Sequence, residues 1–218
     1  MSRKLERMRP VWVPGTNCGY HALTIGFLID QIVRRIDEKK RGITEFLREE
    51  ILDKYGELTN LFKCSKHELY NKLENRLLPM PSNMGIASAR AVAKIHSLIA
   101  EGKLLSKAFL SSIEQPQLVD QFDIVNGYPE SKGFGWQYTK NKLVPLIGVI
   151  HVDENNTKLQ GNWIFGHSGY GGQNVRVDVQ SHLAFAYVCN GLKAGDADCV
   201  DTFTRLQDAL YECLKNAN

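Results

Sequence analysis

Apolar residues recur with helical spacing through the first half of the chain. From about Gly19 to a stop at Gly42, apolar positions surround the predicted helix at its start and then narrow to one face, as in a helix that starts buried and emerges into solvent. Further helices are predicted over 44–55, 88–102 and 104–114. Residues 20–115 are therefore expected to form a mainly helical region.

The apolar period changes to two in the second half. Val175, Val177 and Val179 alternate with polar residues, as in a half-buried strand, and residues 183–189 return as an apolar strand. Other extended segments are predicted at 133–140, 145–152 and 162–165, the last leading into a glycine-rich turn, with a closing helix at 200–214. We expect an α+β fold in a single domain over 1–218, with an antiparallel sheet and its covering helix over 130–216.

The composition mainly excludes classes of partner, location and cofactor. The 218 residues carry a formal net charge of +3, too mild to indicate nucleic acid or a membrane surface as a partner. No apolar run is long enough to span a membrane, and the charged amino terminus is no secretory signal, so a cytoplasmic location is the default if Met1 is the true start. Five scattered cysteines without a CxxC pair indicate neither a zinc site nor a disulfide framework. No metal or other cofactor is expected.

Two glycine-rich segments, residues 14–22 and 166–172, carry reactive side chains. Generic motifs fail in both, because Tyr170 breaks G-x-S-x-G and Asn174 breaks G-x-G-x-x-G. Cys18 with a distant histidine could form a thiol nucleophile, although a buried, inert cysteine is the commoner arrangement. Taken one at a time, these residues are more often structural than catalytic.

Their order along the chain is more specific. Pro14-Gly15-Thr16 followed by Gly19-Tyr20-His21-Ala22 resembles the tyrosine motif of serine β-lactamase-related proteins: class C β-lactamases, penicillin-binding proteins, related esterases and animal β-lactamase-domain proteins. Gly166-His167-Ser168-Gly169-Tyr170 resembles the strand that carries the family's Lys-Thr-Gly motif, which is His-Thr-Gly in many esterase-like members. The resemblance spans residues 10–214 and implies a β-lactamase/transpeptidase-like fold.

The resemblance also implies a role for each matching residue. Tyr20 would be the general base, and His167 stands where a lysine often lines the site. Ser168, followed by Gly169, would hydrogen-bond a substrate carboxylate or carbonyl, and the backbone N–H of Tyr170 would be one oxyanion donor. The substrate would be a small amide, lactam or ester.

The expected nucleophile, the serine of a Ser-x-x-Lys motif ahead of the tyrosine, does not occur. No serine in the chain has lysine three residues later, and only 19 residues precede Tyr20. Ala22 is a further departure, since many members have asparagine there. We therefore expect the N-terminal part of the fold to be missing and the chain to be inactive by itself, as a truncated product, an incomplete gene sequence or a non-catalytic relative.

Two alternatives remain from the sequence. The first is a binding or assembly protein that uses the residual pocket around Tyr20, His167 and Ser168, or the sheet edge left open beside residues 183–189, where the chain could self-associate. The second, weaker alternative is a cysteine hydrolase that uses Cys18.

Overall fold

A computed structural model describes residues 2–55, 72–76, 81–82, 85–141, 162–195 and 199–217. The chain divides into two compact units, one of residues 1–91 with 121–129 and the other of residues 92–120 with 130–218. The strand predicted at 145–152 lies outside the described residues. No helix in the described ranges is long and apolar enough to cross a membrane.

The first unit is helical over most of its described residues. Its helices are α1 (Ser2–Arg7), α2 (Thr24–Ile36), α3 (Ile43–Leu47), a π-helical turn (Arg48–Leu52), α4 (Asp53–Tyr55) and α5 (Leu73–Arg76). The helix α6 (Ala89–Ala100) begins in this unit, and Ser88 caps it as predicted, with its Oγ 3.2 Å from the amide nitrogen of Ala91.

Charged side chains fix the corner between α2 and α3. The buried carboxylate of Asp30 accepts hydrogen bonds from the Ile43 N–H at 3.0 Å and from Arg34 Nε at 2.8 Å. Arg41, 9% exposed, binds the carboxylates of Asp37, Glu49 and Glu50. These hydrogen bonds hold the pKa of the Asp37 carboxyl down to about 2. A buried guanidinium with three carboxylate partners is well compensated for its lost hydration.

The apolar stripe of α2 is exposed. Ile32 and Ile36 are 55% and 74% exposed, whereas the residues of this helix that are buried are Gly26 and Asp30. The expectation that the helix starts buried is therefore wrong for its apolar side chains, since Leu23 and Ile25 near its start are also exposed. The corner described above turns the Asp30 side of the helix inward, so the apolar side faces out.

The second unit is built on an antiparallel sheet in which neighbours in sequence are neighbours in space. Its strands, in the order β1-β2-β3-β4-β5-β6, are Leu118–Phe122, Pro129–Gly133, Trp136–Lys140, Trp163–Gly169, Gln173–Asp178 and Leu183–Tyr187. Residues 121–129, between and within the first two strands, belong to the first unit. As predicted, the apolar strand after residue 182 lies at an edge of the described sheet.

Helices cover both faces of this sheet. On one face, α6 and α7 (Lys107–Ser112) pack Ile99 and Leu110 against Phe165 and Val177. On the other, α8 (Asp201–Ala217) places Phe203 and Tyr211 against Phe185 of β6. Val177 and its neighbour Arg176, which is paired with Phe185, point to opposite faces because side chains alternate along a strand.

Asp178 joins the sheet to its covering helix. This carboxylate, 1% exposed, accepts hydrogen bonds from the Tyr211 hydroxyl at 2.8 Å, from Asn141 Nδ2 at 3.1 Å and from the hydroxyl of Ser181 at 2.9 Å. Burial and the adjacent carboxylate raise the pKa of Tyr211, so its hydroxyl stays a donor.

Candidate functional site

The predicted tyrosine follows a short turn in the first unit. The backbone N–H and hydroxyl of Thr16 both donate to the Val13 carbonyl, at 3.1 and 2.7 Å, around Gly15 with φ +85°. The chain then extends through Cys18 to Tyr20, four residues ahead of the first residue of α2. The Tyr20 side chain is half-buried.

A buried aspartate, Asp123, accepts a hydrogen bond from the backbone of this segment. Asp123 is 0% exposed, and its Oδ1 accepts the Tyr20 N–H at 3.2 Å. The same oxygen accepts the N–H groups of Val125 and Asn126 at 2.9 and 2.8 Å. The Cys18 carbonyl accepts the N–H of the following residue, Ile124, at 3.0 Å.

The surroundings of Cys18 do not favour the thiol hypothesis. Its Sγ lies 3.6 Å from Asp123 Oδ2, where the thiol is the donor. A catalytic cysteine is activated by a histidine or a neighbouring cation that stabilises its thiolate, and Asp123 is neither. His21 is engaged elsewhere, with Nδ1 2.7 Å from the hydroxyl of Thr24.

The second predicted motif lies on β4 in the second unit. The strand extends through Gly169, with Ser168 opposite Asn174 and His167 opposite Val175 on β5. The strand predicted at 162–165 is therefore longer than the apolar pattern indicated, and the glycine-rich turn begins at Tyr170. Gly166 permits close pairing here, because a Cβ at this position would lie 1.9 Å from the Val175 carbonyl oxygen.

Ser168 donates two hydrogen bonds to the side-chain amide oxygen of Gln137. Its backbone N–H and its hydroxyl both donate to Gln137 Oε1, at 2.8 and 2.9 Å. Gln137 Nε2 donates in turn to Glu130 Oε1 at 3.0 Å, and Glu130 forms an ion pair with Lys132 at 2.7 Å. The amide of Gln137 is therefore anchored at both ends.

The ring of His167 is oriented by its own strand. Nδ1 lies 2.6 Å from the Ser168 carbonyl oxygen, so Nδ1 is the donor. The side chain is half-buried and lies on the same face as Phe165, because residues two apart on a strand share a face.

The turn after the motif requires glycine. Tyr170 at its tip is 79% exposed, and Gly171 and Gly172 have φ of +81° and +99°. A Cβ on Gly171 would lie 2.3 Å from Leu192 Cδ2. The turn is also tied to the chain after β6, since the Gly171 carbonyl accepts the Lys193 N–H at 2.9 Å.

The predicted site residues thus fall in two groups. His167, Ser168, Gly169 and Tyr170 are consecutive in the second unit, and Tyr20 belongs to the first. Asp123 and Gln137, which hold the two groups, were not identified from the sequence. Asp123 carries a recognisable signal, since Asp followed by Asn126-Gly127 is typical of a turn that an aspartate caps.

A sequence model of the β-lactamase family matches residues 1–210 of the 218. The chain belongs to the β-lactamase family. No curated protein matches the sequence.

Two solved structures show the same fold. A family VIII carboxylesterase superposes with a TM-score of 0.75 over 96% of this chain, at 21% identity. EstA from Arthrobacter nitroguajacolicus Rue61a superposes with a TM-score of 0.72 over 99% of it, also at 21% identity. The chain spans 62% and 64% of those two chains. The β-lactamase-like fold with an antiparallel sheet and helices is therefore confirmed.

Proposed function

We propose that this chain carries the tyrosine and His-Ser-Gly parts of a serine hydrolase site that acts on a small ester, amide or lactam. The observation that carries the proposal is the pair of donors on Ser168, its N–H and its hydroxyl, which together bind the side-chain amide oxygen of Gln137. A substrate carbonyl or carboxylate offers the same kind of acceptor. Membership of the β-lactamase family and a structural neighbour named as a carboxylesterase support the same class of substrate.

The roles in this proposal follow the family motifs. Tyr20 would take the proton of the nucleophile and return it to the leaving group, which requires nearby cations because a free phenol is protonated at neutral pH. His167 would line the site at the position where a lysine is common. The N–H of Tyr170 would donate to the oxyanion, with the second donor coming from the nucleophile's own N–H.

The nucleophile is the part that these residues do not supply. No serine of the chain has lysine at the third position after it. Without a nucleophile the remaining donors give only residual catalysis. We therefore propose that these 218 residues recognise the carbonyl substrate and do not turn it over by themselves.

Turnover of p-nitrophenyl acetate and nitrocefin by the purified chain tests this proposal. We expect hydrolysis at the rate of the buffer, together with nitrocefin-dependent changes in the amide resonances of His167 and Ser168. Hydrolysis that Tyr20→Phe abolishes would contradict the proposed inactivity. Hydrolysis that Cys18→Ala alone abolishes would support the thiol mechanism in place of the proposed inactivity.

If the coding sequence upstream of Met1 adds a Ser-x-x-Lys motif, we expect the longer chain to hydrolyse an ester and to lose that activity on Tyr20→Phe.

A second candidate function is assembly with a second copy of the chain through β6. This strand ends the order of strands among the described residues, and its sequence Leu-Ala-Phe-Ala-Tyr has no charge or proline to block pairing. Two such edges can pair antiparallel about a twofold axis. Light scattering after size exclusion should then give a dimer that Val188→Lys, placed just beyond the strand, dissociates. A monomer at every concentration would contradict this function.

A further inference from the structure

The carboxylate of Asp123 is fixed by hydrogen bonds within its own turn, in addition to its contact with Tyr20. Within residues 123–128, the Asp123 N–H donates to the Tyr128 carbonyl at 3.0 Å, and the Gly127 N–H donates to the Asp123 carbonyl at 2.8 Å. The side-chain Oδ1 accepts the N–H groups of Val125 and Asn126, as in an Asx turn. The position of the carboxylate is therefore fixed locally.

Two further hydrogen bonds join this turn to residues 18 and 20, far away in the sequence. Oδ1 also accepts the Tyr20 N–H at 3.2 Å, and the Ile124 N–H donates to the Cys18 carbonyl at 3.0 Å. Asp123 and Cys18 accordingly form a parallel β-bridge. Both residues that flank Gly19 are thus attached to the turn, one through its carbonyl and the other through its N–H.

Packing at Gly19 tightens this attachment. A Cβ at this position would lie 2.7 Å from the ring of Trp12 and 3.1 Å from Cγ2 of Val125. The backbone therefore passes closely between an aromatic ring and the aspartate turn, and the bonds on either side limit the directions that the Tyr20 side chain can take.

We propose that Asp123 is a positioning residue for Tyr20: its carboxylate, fixed by the 123–128 turn, sets the backbone from which the phenol extends. The proposal rests on the proposed function for the importance of the phenol, since it is the general base there. The geometric part, that Asp123 determines where the phenol lies, holds for the chain whatever its activity.

Three substitutions separate the contacts of Asp123. Asp123→Asn keeps an oxygen at the Oδ1 position and with it all three N–H acceptor contacts. Asp123→Ser keeps a shorter oxygen that can accept from its own turn and does not reach Tyr20. Asp123→Ala removes both. Asp53→Ala, on an exposed residue of α4 in the same unit, is the matched control.

The measurement is ¹⁹F NMR of the full chain labelled with 3-fluorotyrosine, with the Tyr20 signal assigned by its loss in Tyr20→Phe. We expect the chemical shift of Tyr20 to be nearly unchanged in Asp123→Asn and Asp53→Ala and to move in Asp123→Ser and Asp123→Ala. The Tyr138 and Tyr211 signals, from the second unit, should stay in place. Hydrogen exchange of the Tyr20 amide should be about tenfold faster in Asp123→Ser.

A folded Asp123→Ser protein with an unchanged Tyr20 signal and amide exchange would overturn the inference. If Asp123→Ala does not fold, the comparison of Asp123→Ser with Asp123→Asn still decides it. A protein that hydrolyses esters without needing Tyr20 would refute the proposed function instead, and it would leave the NMR comparison intact.

Discussion

Gln137 Oε1 receives two hydrogen bonds from one residue, the N–H and the hydroxyl of Ser168, at 2.8 and 2.9 Å. The register explains why a side chain performs this role. The last pair between β3 and β4 on this side is Gln137 opposite Gly166, so Ser168 lies two residues farther along β4 than that pair. The amide oxygen of Gln137 takes the place that the carbonyl of a neighbouring strand would fill.

Removing the Gln137 amide should therefore loosen the end of β4. Gln137→Ala leaves the N–H and hydroxyl of a residue that is 7% exposed without their shared acceptor. We expect the free energy of unfolding to fall by about 1–3 kcal/mol and the Ser168 amide to exchange about tenfold faster. Chemical denaturation and hydrogen exchange measure the two effects.

Gln117→Ala is the control for this prediction. Gln117 Oε1 also accepts a backbone N–H, that of Phe134 at 3.1 Å, but at an exposed position. Its loss should change stability by less than about 0.5 kcal/mol. Equal effects of the two substitutions would show that the double contact of Ser168 has no special weight.

The buried bond between Tyr211 and Asp178 should be among the stronger polar contacts of the second unit. Tyr211→Phe removes one donor from a carboxylate that is 1% exposed, and we expect a loss of about 1.5–3 kcal/mol. Tyr187→Phe breaks an exposed bond to Thr202 and should cost well under 1 kcal/mol. Thermal or urea unfolding of the two variants, side by side, tests the difference; similar losses would contradict it.

Motif order along the chain was enough to predict the fold class, because each motif implies a strand or helix with a fixed place in the family. Two strands were nevertheless missed. Leu118–Phe122 is exposed along its whole length and Pro129–Gly133 holds Pro, Ser and Gly, so neither shows the alternation that marks a half-buried strand. Their pairing comes from backbone hydrogen bonds, which the apolar pattern does not report.

The residues that bind the candidate site residues, Asp123 and Gln137, were not predicted for a related reason. Asp123 lies 103 residues from Tyr20, and Gln137 lies 31 residues from Ser168. Such contacts depend on how the chain returns on itself, and no local spacing encodes them. The exposed apolar side of α2 has the same origin, since Asp30 bonds to Ile43 beyond the helix and sets which side faces inward.

The charge cluster around Arg41 should make the first unit sensitive to acid. Hydrogen bonds from Arg41 lower the pKa of Asp37 to about 2 and also lower the pKa of Glu49. The pKa of Glu50 is lowered first by its hydrogen bond with Lys54 and then by that with Arg41. A carboxyl whose folded pKa is depressed contributes stability above its unfolded value, and loses it as the pH falls through the folded one. Stability should therefore decline from the ordinary carboxyl range, near pH 4, down to about 2.

Arg41→Gln tests this dependence. The variant should be less stable at neutral pH and show a shallower decline in acid, because the pKa values of Asp37 and Glu49 return towards their ordinary range. The pKa of Glu50 should return only in part, since Lys54 still lowers it. Arg35→Gln, which breaks an exposed ion pair with Glu6, should leave the wild-type pH profile almost unchanged. Urea midpoints of the three proteins, measured from neutral pH to about 2, provide the comparison. An acid decline as steep in Arg41→Gln as in the wild type would contradict the prediction.

Replacing Gly166, just before His167, or Gly171, in the turn after β4, should lower the stability of the chain. At Gly166 an added Cβ would lie 1.9 Å from the Val175 carbonyl oxygen, and at Gly171 it would lie 2.3 Å from Leu192 Cδ2 at a φ of +81°. The first clash is with backbone and has to open the β4–β5 ladder, whereas the second can be relieved by moving a side chain. We therefore expect Gly166→Ala to destabilise the chain by at least about 2 kcal/mol and Gly171→Ala by about 1–2 kcal/mol.

Gly191→Ala, with nothing within 4 Å of the added carbon and no positive φ, should be close to neutral. Thermal unfolding ranks the three variants, and an order in which Gly171→Ala is the most damaging would show that backbone strain in the turn outweighs close pairing of the strands.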